Sequence, residues 1–218
     1  AKMLQNANLV FWVGEDLETF LEKPLKSIAK KAEKIELMEI KGLNKLEFRE
    51  RNIFEGHDDH KDHGHKEDKH DDHKEHGHKE AKHDDHHGHG HGEHDPHIWL
   101  DPMNAKVILS EMAEHLIEND QENASKYKSN LKKAHKDLDK LTKKIKSELN
   151  KDFKSIVFHD AYQYFEKRFG VNVLGAFTVN TDVLPGAEQL SEIREIIEHE
   201  KVSCCLLYTS PSPRDAES

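Results

Sequence analysis

The stretch QENASKYKSNLKKAHKDLDKLTKKIKSEL, residues 121–149, has the most regular pattern in the chain. Its apolar residues recur in steps of three and four, which is the spacing of one face of an α-helix. Most positions between them are polar, and lysine is the commonest residue. The pattern predicts a single helix about 43 Å long, at about 1.5 Å per residue. Its narrow apolar stripe consists of Ala124, Tyr127, Leu131, Ala134, Leu138, Leu141 and Ile145.

A stripe of this width also suits a coiled-coil dimer. The alternative is a helix that lies along its own protein. We favour this second interpretation, and with it a monomer, because small alanines make a weak zipper seam. The α/β patterns that flank the helix on both sides support the same choice.

Two predicted strands and a helix stand upstream of the long helix. Residues 8–13 form a short apolar run that ends at Gly14 and is typical of a buried strand. Residues 15–31 have helical spacing, in which Pro24 should break or kink the helix. Residues 35–40 alternate apolar and charged side chains, as in a strand with one face in the core. Strand, helix and strand in this order predict an α/β unit with parallel strands.

A second α/β pattern follows the long helix. Strand-like runs at residues 155–158 and 171–179 alternate with helical runs at 160–169 and 190–200, and Val202 begins a further strand. The predicted fold class is therefore α/β, with two α/β lobes bridged by one long helix. The predicted segments are the first lobe at 1–56 and 95–120, an insertion at 57–94, the linking helix at 121–150, a partial second lobe at 151–204 and a tail at 205–218.

The insertion at residues 57–94 holds fourteen of the nineteen histidines. The rest of it is almost wholly Asp, Glu, Lys and Gly. Such a segment buries too little apolar surface to offset the entropy lost on ordering, so we expect a disordered loop. Ordered sequence should resume at Asp95, and Asp101 followed by Pro102 predicts the start of a helix.

The same insertion is the strongest indication of chemistry in the chain. Neutral imidazole is a good ligand for Zn, Cu, Ni and Co, and the interleaved carboxylates attract cations. Protons compete for imidazole nitrogen, so metal binding should weaken as the pH falls through the low sixes. The alternative is a solvating tract without a metal role. The expected auxiliary ligands are His57, His60, His63, His65, His70, His73, His76, His78, His83, His86, His87, His89, His91 and His94.

Two histidines outside the insertion are candidates for a more specific site. His97 stands at the foot of the predicted strand HIWLDP, and His159 ends the predicted strand IVFHD. Ligands gather at the carboxyl ends of strands in α/β sheets, so one imidazole from each lobe could meet in an interlobe cleft. Taken alone, either would more often be a structural histidine, but the neighbouring insertion favours metal ligation. We interpret His115, His135 and His199, which lie among charges in helical patterns, as solvated surface.

Several functional classes are disfavoured. A formal net charge of -10 argues against a nucleic-acid partner, and no apolar run is long enough to span a bilayer. The chain lacks G-x-S-x-G, H-E-x-x-H and a Gly-rich phosphate loop. A zinc-dependent hydrolase could use His97, His159 and Asp160, but nothing marks a general base or an open coordination position. We therefore predict a binding protein and not an enzyme.

Five stretches together resemble one family. They are LQNANLVFWVGEDLETFL at residues 4–21, the His/Asp-rich insertion, DPHIWLDPMNA at 95–105, VFHDAYQYFEKRFG at 157–170 and TDVLPGAEQLSEI at 181–193. From Ala1 to about Cys204 the chain resembles the ZnuA-like zinc-binding proteins, which belong to the metal-specific solute-binding proteins of ABC importers. Each stretch alone is only suggestive, but the combination is highly specific.

The resemblance implies two α/β lobes joined by a rigid helix, with zinc bound between the lobes. It places metal ligands at His97 and His159. Manganese-type relatives carry a carboxylate at the position of His159, so the imidazole favours zinc. The implied function is periplasmic capture of Zn²⁺ and its delivery to the membrane permease of an ABC importer, with the insertion gathering or sensing zinc. A soluble His-rich metal buffer or chaperone is the alternative.

The resemblance also implies that the sequence is truncated at both ends. The family's first histidine ligand should precede Ala1, as should the signal peptide, and a last ligand loop should follow the strand that begins at Val202. Cys204 matches a family cysteine whose disulfide partner would lie in that missing part. We interpret the polar residues 205–218 as a tail that is not native.

Overall fold

The computed structural model of the chain describes residues 1–49, 51–54, 93–179 and 185–206. Only Glu93 and His94 of the predicted insertion are among them, so the predicted disorder of the remainder lies outside the described residues. In these ranges no helix combines the length and the apolar character that a membrane crossing requires.

The first sheet of the described residues has two parallel strands. β1 (Leu9–Trp12) pairs with β2 (Glu33–Glu36), and α2 (Glu15–Ser27) connects them. A short helix, α1 (Lys2–Asn6), precedes β1. Trp12 at the end of β1 packs against the buried residues of α2 and of the loop that follows it. The predicted α/β unit with parallel strands is confirmed.

The sequence predicted a break or a kink at Pro24, and the break is wrong. The helix continues beyond Pro24, and its non-helical residue is Glu18, at φ -124° and ψ 44°. The carboxylate of Glu18 turns back and accepts a hydrogen bond of 2.6 Å from the amide of Val13. The interruption therefore lies at Glu18, in the first turn of the helix, and not at the proline.

The second strand is shorter than the predicted residues 35–40. β2 ends at Glu36, and Leu37–Glu39 form a 3-10 helix. Met38 in this turn is buried, and its amide donates a hydrogen bond of 3.0 Å to the carbonyl of Val13. The alternation of apolar and charged residues thus continues through a turn that buries one side chain, although the strand has ended.

The segment HIWLDP, predicted as a strand, is helical. Ile98–Leu100 form a 3-10 helix, and α3 (Pro102–Asn119) begins directly after Asp101. Asp101 caps α3 by accepting a hydrogen bond of 2.8 Å from the Met103 amide, so the predicted helix start is confirmed. The side chain of Ile98 is buried in a hydrophobic core with Met38 and Ile108, and this burial holds the turn in place.

The long helix is present and slightly shorter than predicted. A 3-10 turn at Gln121–Asn123 leads into α4 (Ala124–Glu148), whose 25 residues span about 37 Å. α4 lies along α3 of the same chain, and apolar residues of both helices line a cavity between them. This contact favours a helix that packs on its own protein over a coiled-coil seam. The cavity is lined by Leu109, Met112 and Leu116 from α3 and by Tyr127, Leu131 and Ala134 from α4.

The second sheet has three parallel strands within the described ranges. β3 (Lys154–His159) lies between β4 (Asn172–Thr178) and β5 (Cys204–Leu206). α5 (Gln163–Phe169) connects β3 to β4, and α6 (Ala187–His199) precedes β5. The predicted order of strands and helices after the long helix is confirmed.

β5 extends past the predicted start of the tail. Cys205 and Leu206 lie opposite Ile156 and Val157 of β3, so both belong to the second sheet. The predicted boundary after Cys204 therefore falls inside a strand. The remaining tail residues lie outside the described part of the chain, and the other segment boundaries stay predictions.

The chain crosses to the second sheet just before the insertion. Residues 51–54, here called the crossing segment, run beside β4 with Ile53 antiparallel to Gly175. The carbonyl of Asn52 accepts a hydrogen bond of 2.7 Å from the Ala176 amide, and its side-chain amide donates one of 3.2 Å to the Ala176 carbonyl. The crossing segment thus attaches the first half of the chain to the edge of the second sheet.

We expect Gly175→Ala to lower the free energy of unfolding by about 1–3 kcal/mol, as measured by chemical denaturation. A Cβ at Gly175 would lie 2.6 Å from the carbonyl oxygen of Asn52, and backbone cannot yield as a flexible side chain can. Gly186→Ala is the control, because its Cβ would approach nothing closer than 4.0 Å. It should lose only about 0.5–1 kcal/mol, from a weaker N-cap. Equal losses would contradict the steric explanation.

Candidate metal centre

The two candidate ligands from the sequence lie beside each other in the structure. His97 directly precedes the 3-10 helix Ile98–Leu100, and His159 is the last residue of β3. Their ring centroids are 5.2 Å apart, and the ring planes meet at 67°. Two imidazoles at this separation can share one metal ion, although their role as ligands stays a prediction.

Asp95 fixes the orientation of His97. Its Oδ1 lies 2.7 Å from Nδ1 of His97 and accepts a second hydrogen bond, of 2.9 Å, from the His97 amide. A neutral His97 that donates from Nδ1 keeps Nε2 free for a ligand, which is the usual arrangement around metal-bound histidines. Oδ2 of this buried carboxylate has no hydrogen-bond partner among the described residues. A buried charge in this state favours a cation nearby.

His159 is half-buried and is held in its neutral form. Burial lowers the pKa of His159, and so does the positive charge that His97 carries when it is protonated, while a hydrogen bond with the backbone of Thr178 acts in the opposite direction. Nδ1 of His159 is buried without a hydrogen-bond partner among the residues that the structure describes. A neutral imidazole with an unpaired nitrogen is the form that binds transition metals.

Asp160 binds a guanidinium instead of joining the two histidines. Nη1 of Arg49 donates to Oδ1 of Asp160 over 3.0 Å, and Nη2 donates to Oε2 of Glu166 over 2.5 Å. Burial alone would lower the pKa of Arg49, but these hydrogen bonds and charges raise it. Within the described ranges no group of three or more His, Cys, Asp or Glu side chains is placed to hold a metal. The triad of His97, His159 and Asp160 that a zinc hydrolase could use is therefore not formed among the described residues.

Tyr164 links α5 to the backbone beside His97. Its ring lies in the core of the first lobe and is 1% exposed. Its hydroxyl donates a hydrogen bond of 2.7 Å to the carbonyl of Asp95 and accepts one of 3.0 Å from the Leu46 amide. Burial raises the pKa of Tyr164 to about 12, although the Leu46 amide acts to lower it. The hydroxyl therefore stays protonated and keeps its donor role.

Of the predicted auxiliary set, His94 alone lies among the described residues. His94 forms an isolated antiparallel β-bridge with Glu47, where the chain returns from the insertion. The other thirteen, from His57 to His91, lie outside the described residues, so their metal role stays a prediction.

The interpretation as solvated surface is wrong for two of three helical histidines. His115 is half-buried, with Nδ1 2.8 Å from a carboxylate oxygen of Glu33. His135 is also half-buried, with Nε2 3.1 Å from the carbonyl oxygen of Lys106. His199, near the end of α6, is exposed as expected.

Sequence reasoning did not identify Asp95, Arg49 or Tyr164 as residues of the site. An acidic residue two positions before His97 was a usable sign, because metal-binding histidines commonly donate to a carboxylate. The other two act across the lobes, and the local sequence carries no sign of such distant contacts.

We expect the free energy of unfolding to fall by about 2 kcal/mol as the pH rises from 10 to 12, through the titration of Tyr164 alone. The folded-state pKa of about 12 exceeds the ordinary tyrosine pKa of 10.0, so the stability that this difference contributes is complete below pH 10 and is lost towards pH 12. Urea denaturation across this range measures the loss. Tyr164→Phe is the control for the other titrating groups and should show a smaller slope. The same slope in both proteins would show that the hydroxyl is not buried in its neutral form.

Comparison with known proteins supports this assignment of the fold. The family described as zinc-uptake complex component A, periplasmic (ZnuA) matches residues 1–218. The high-affinity zinc uptake system protein ZnuA of Brucella abortus (strain 2308) is 43% identical over 212 residues, which are 94% of this chain and 62% of that protein. The protein of the same name from Yersinia pestis is 37% identical over 218 residues, 98% of this chain and 63% of that protein. The chain thus spans less than two thirds of the length of these relatives.

Solved structures share the architecture of two α/β lobes. A crystal structure of ZnuA matches with a TM-score of 0.67 at 19% identity, covering 98% of this chain and 67% of that one. The AdcAII protein of Streptococcus pneumoniae matches with a TM-score of 0.64 at 23% identity, covering 99% and 67%. The fold class predicted from the sequence is therefore confirmed. Since the family match extends over all 218 residues and the two relatives exceed a third in identity, the chain belongs to the ZnuA family of periplasmic zinc-uptake components.

Proposed function

We propose that the protein captures zinc ions in the periplasm and delivers them to the membrane permease of an ABC importer. The observation that carries this proposal is the pair of imidazoles, one from each lobe, with ring centroids 5.2 Å apart. The relatives from Brucella abortus and Yersinia pestis are named as high-affinity zinc uptake proteins. The permease, the periplasmic location and the monomeric state belong to the same proposal.

Zinc suits this centre because its donors are imidazoles. Zn²⁺ is commonly held by four nitrogen, sulfur or oxygen donors, whereas Mg²⁺ and Ca²⁺ take oxygen ligands. His97 and His159 would supply two nitrogens. Asp95 would make His97 a stronger ligand by accepting the proton of Nδ1. Capture and release of an ion requires no general base, so the role is binding and not catalysis.

We expect deletion of residues 57–91 to lower the number of zinc ions bound while one tight site remains. The deletion removes thirteen of the histidines but keeps His94 and its β-bridge with Glu47. Isothermal titration with zinc measures both quantities. If the tight site disappears with the insertion, the interlobe centre is not the binding site. The His-rich metal buffer would then be the better account.

In the deletion background, His97→Ala and His159→Ala should each weaken zinc binding by at least about a hundredfold, because each removes a ligand atom. Asp95→Ala should weaken it by about 10–100-fold, because the His97 ring loses its orienting partner. Competition with a chelator of known affinity measures these changes. His199→Ala is the matched control, since that histidine is exposed in α6 and should leave the affinity unchanged. Zinc binding that survives both ligand substitutions would refute the proposed site.

A further inference from the structure

Each lobe holds a residue beside the candidate ligand of the other lobe. From the second lobe, Tyr164 donates a hydrogen bond of 2.7 Å to the carbonyl of Asp95, whose carboxylate orients His97. From the first lobe, Arg49 donates one of 3.0 Å to the carboxylate of Asp160, the residue that follows the other candidate ligand. The two contacts therefore cross the interface in opposite directions, and each one ends next to a histidine of the centre.

Both contacts are buried, which makes them unfavourable to break. Tyr164 is almost fully enclosed, and Asp160 and Glu166 are also buried. Loss of either contact would leave a buried hydroxyl, carbonyl or carboxylate without its partner. The guanidinium of Arg49 is also held by the ring of Phe54, with Cζ 3.9 Å from the ring centroid. A single side-chain orientation is thus selected at each contact.

Two other polar contacts between the lobes, in the part of the chain that the structure describes, end at residues that do not adjoin either histidine in sequence. Arg168 binds both carboxylate oxygens of Asp101, over 2.6 and 2.5 Å, at the start of α3. Gln163 donates to the carbonyl of Glu47 over 3.0 Å. These contacts strengthen the interface, but the contacts of Tyr164 and Arg49 act directly on the backbone and side chains that carry the ligands.

We propose that Tyr164 and Arg49 are positioning residues that set the separation of His97 and His159 before a metal ion binds. The inference rests on the proposed function only for the role of the two histidines, because neither contact involves an imidazole nitrogen. With both contacts made, the ion meets a preformed pair of ligands. The entropy of bringing the lobes together is then part of folding and does not weaken metal binding.

The separation of the lobes is measurable in metal-free protein by pulsed electron–electron double resonance between two nitroxide labels. Lys30→Cys in the first lobe and Glu195→Cys in the second provide exposed attachment sites. Cys204→Ser and Cys205→Ser remove the native thiols. The full chain treated with a chelator should give one narrow distance distribution.

Tyr164→Phe and Arg49→Met together should widen this distribution about twofold, because the lobes then sample several separations. Lys154→Met is the control, since it removes an ion pair with Glu200 that lies within the second lobe. The control should leave the distribution unchanged even if it lowers the unfolding midpoint. A lower midpoint without widening in the double variant would mean a purely structural role and would overturn the proposal.

Zinc titration of the same proteins tests the consequence for binding. Tyr164→Phe and Arg49→Met should each lower the affinity of the tight site about tenfold or more, as loss of an orienting partner does. Arg49→Lys keeps the charge without the forked geometry, so it should recover part of the loss. Widening without any loss of affinity would overturn the positioning role. If the distances respond as expected but His97→Ala binds zinc normally, the contacts set the lobe separation and the proposed function fails instead.

Discussion

A polar group that is buried between two lobes must find a hydrogen-bond partner, and this requirement determines how the lobes of this protein fit together. The carbonyl of Asp95 accepts a hydrogen bond from the hydroxyl of Tyr164. The carboxylates of Asp101 and Asp160 accept hydrogen bonds from the guanidinium groups of Arg168 and Arg49. In each case the donor lies in the opposite lobe. Apolar contacts are non-directional and would allow the lobes to slide. Hydrogen bonds have preferred directions and lengths, so together they permit one arrangement. The relative position of the two candidate ligands, His97 and His159, follows from that arrangement.

Much of the fold could be predicted because its helices and strands follow from hydrophobic patterns in contiguous sequence. The stripe of α4, the cap of α3 at Asp101 and the strands of both sheets each extend over enough residues for periodicity to decide. The segment HIWLDP was too short for periodicity to decide between a strand and a helix. Ile98, Trp99 and Leu100 are three apolar residues in a row, and so short a run fits a strand as well as one helical turn. The structure forms the turn because it buries Ile98 and leaves Trp99 partly exposed.

The candidate site likewise contains some residues that local sequence indicates and others that it does not. His97 and His159 were found because their types and their positions near strand ends are local information, although the strand assigned at His97 was wrong. The residues that arrange them act over long separations. Arg49 and Asp160 are 111 positions apart, and Tyr164 and Asp95 are 69 apart. No periodic pattern in one chain encodes such a pair, since either residue alone resembles an ordinary charged or aromatic side chain.

The crossing segment connects the geometry of the centre with the solubility of the protein. By running beside β4, it occupies backbone donors and acceptors at one edge of the second sheet, including both groups of Ala176. An uncovered sheet edge is a template for pairing with other chains. Wide separation of the lobes would pull this cover away, so a large opening motion would carry a risk of aggregation. Small movements of the lobes would keep this edge of the second sheet covered, whereas full opening would not.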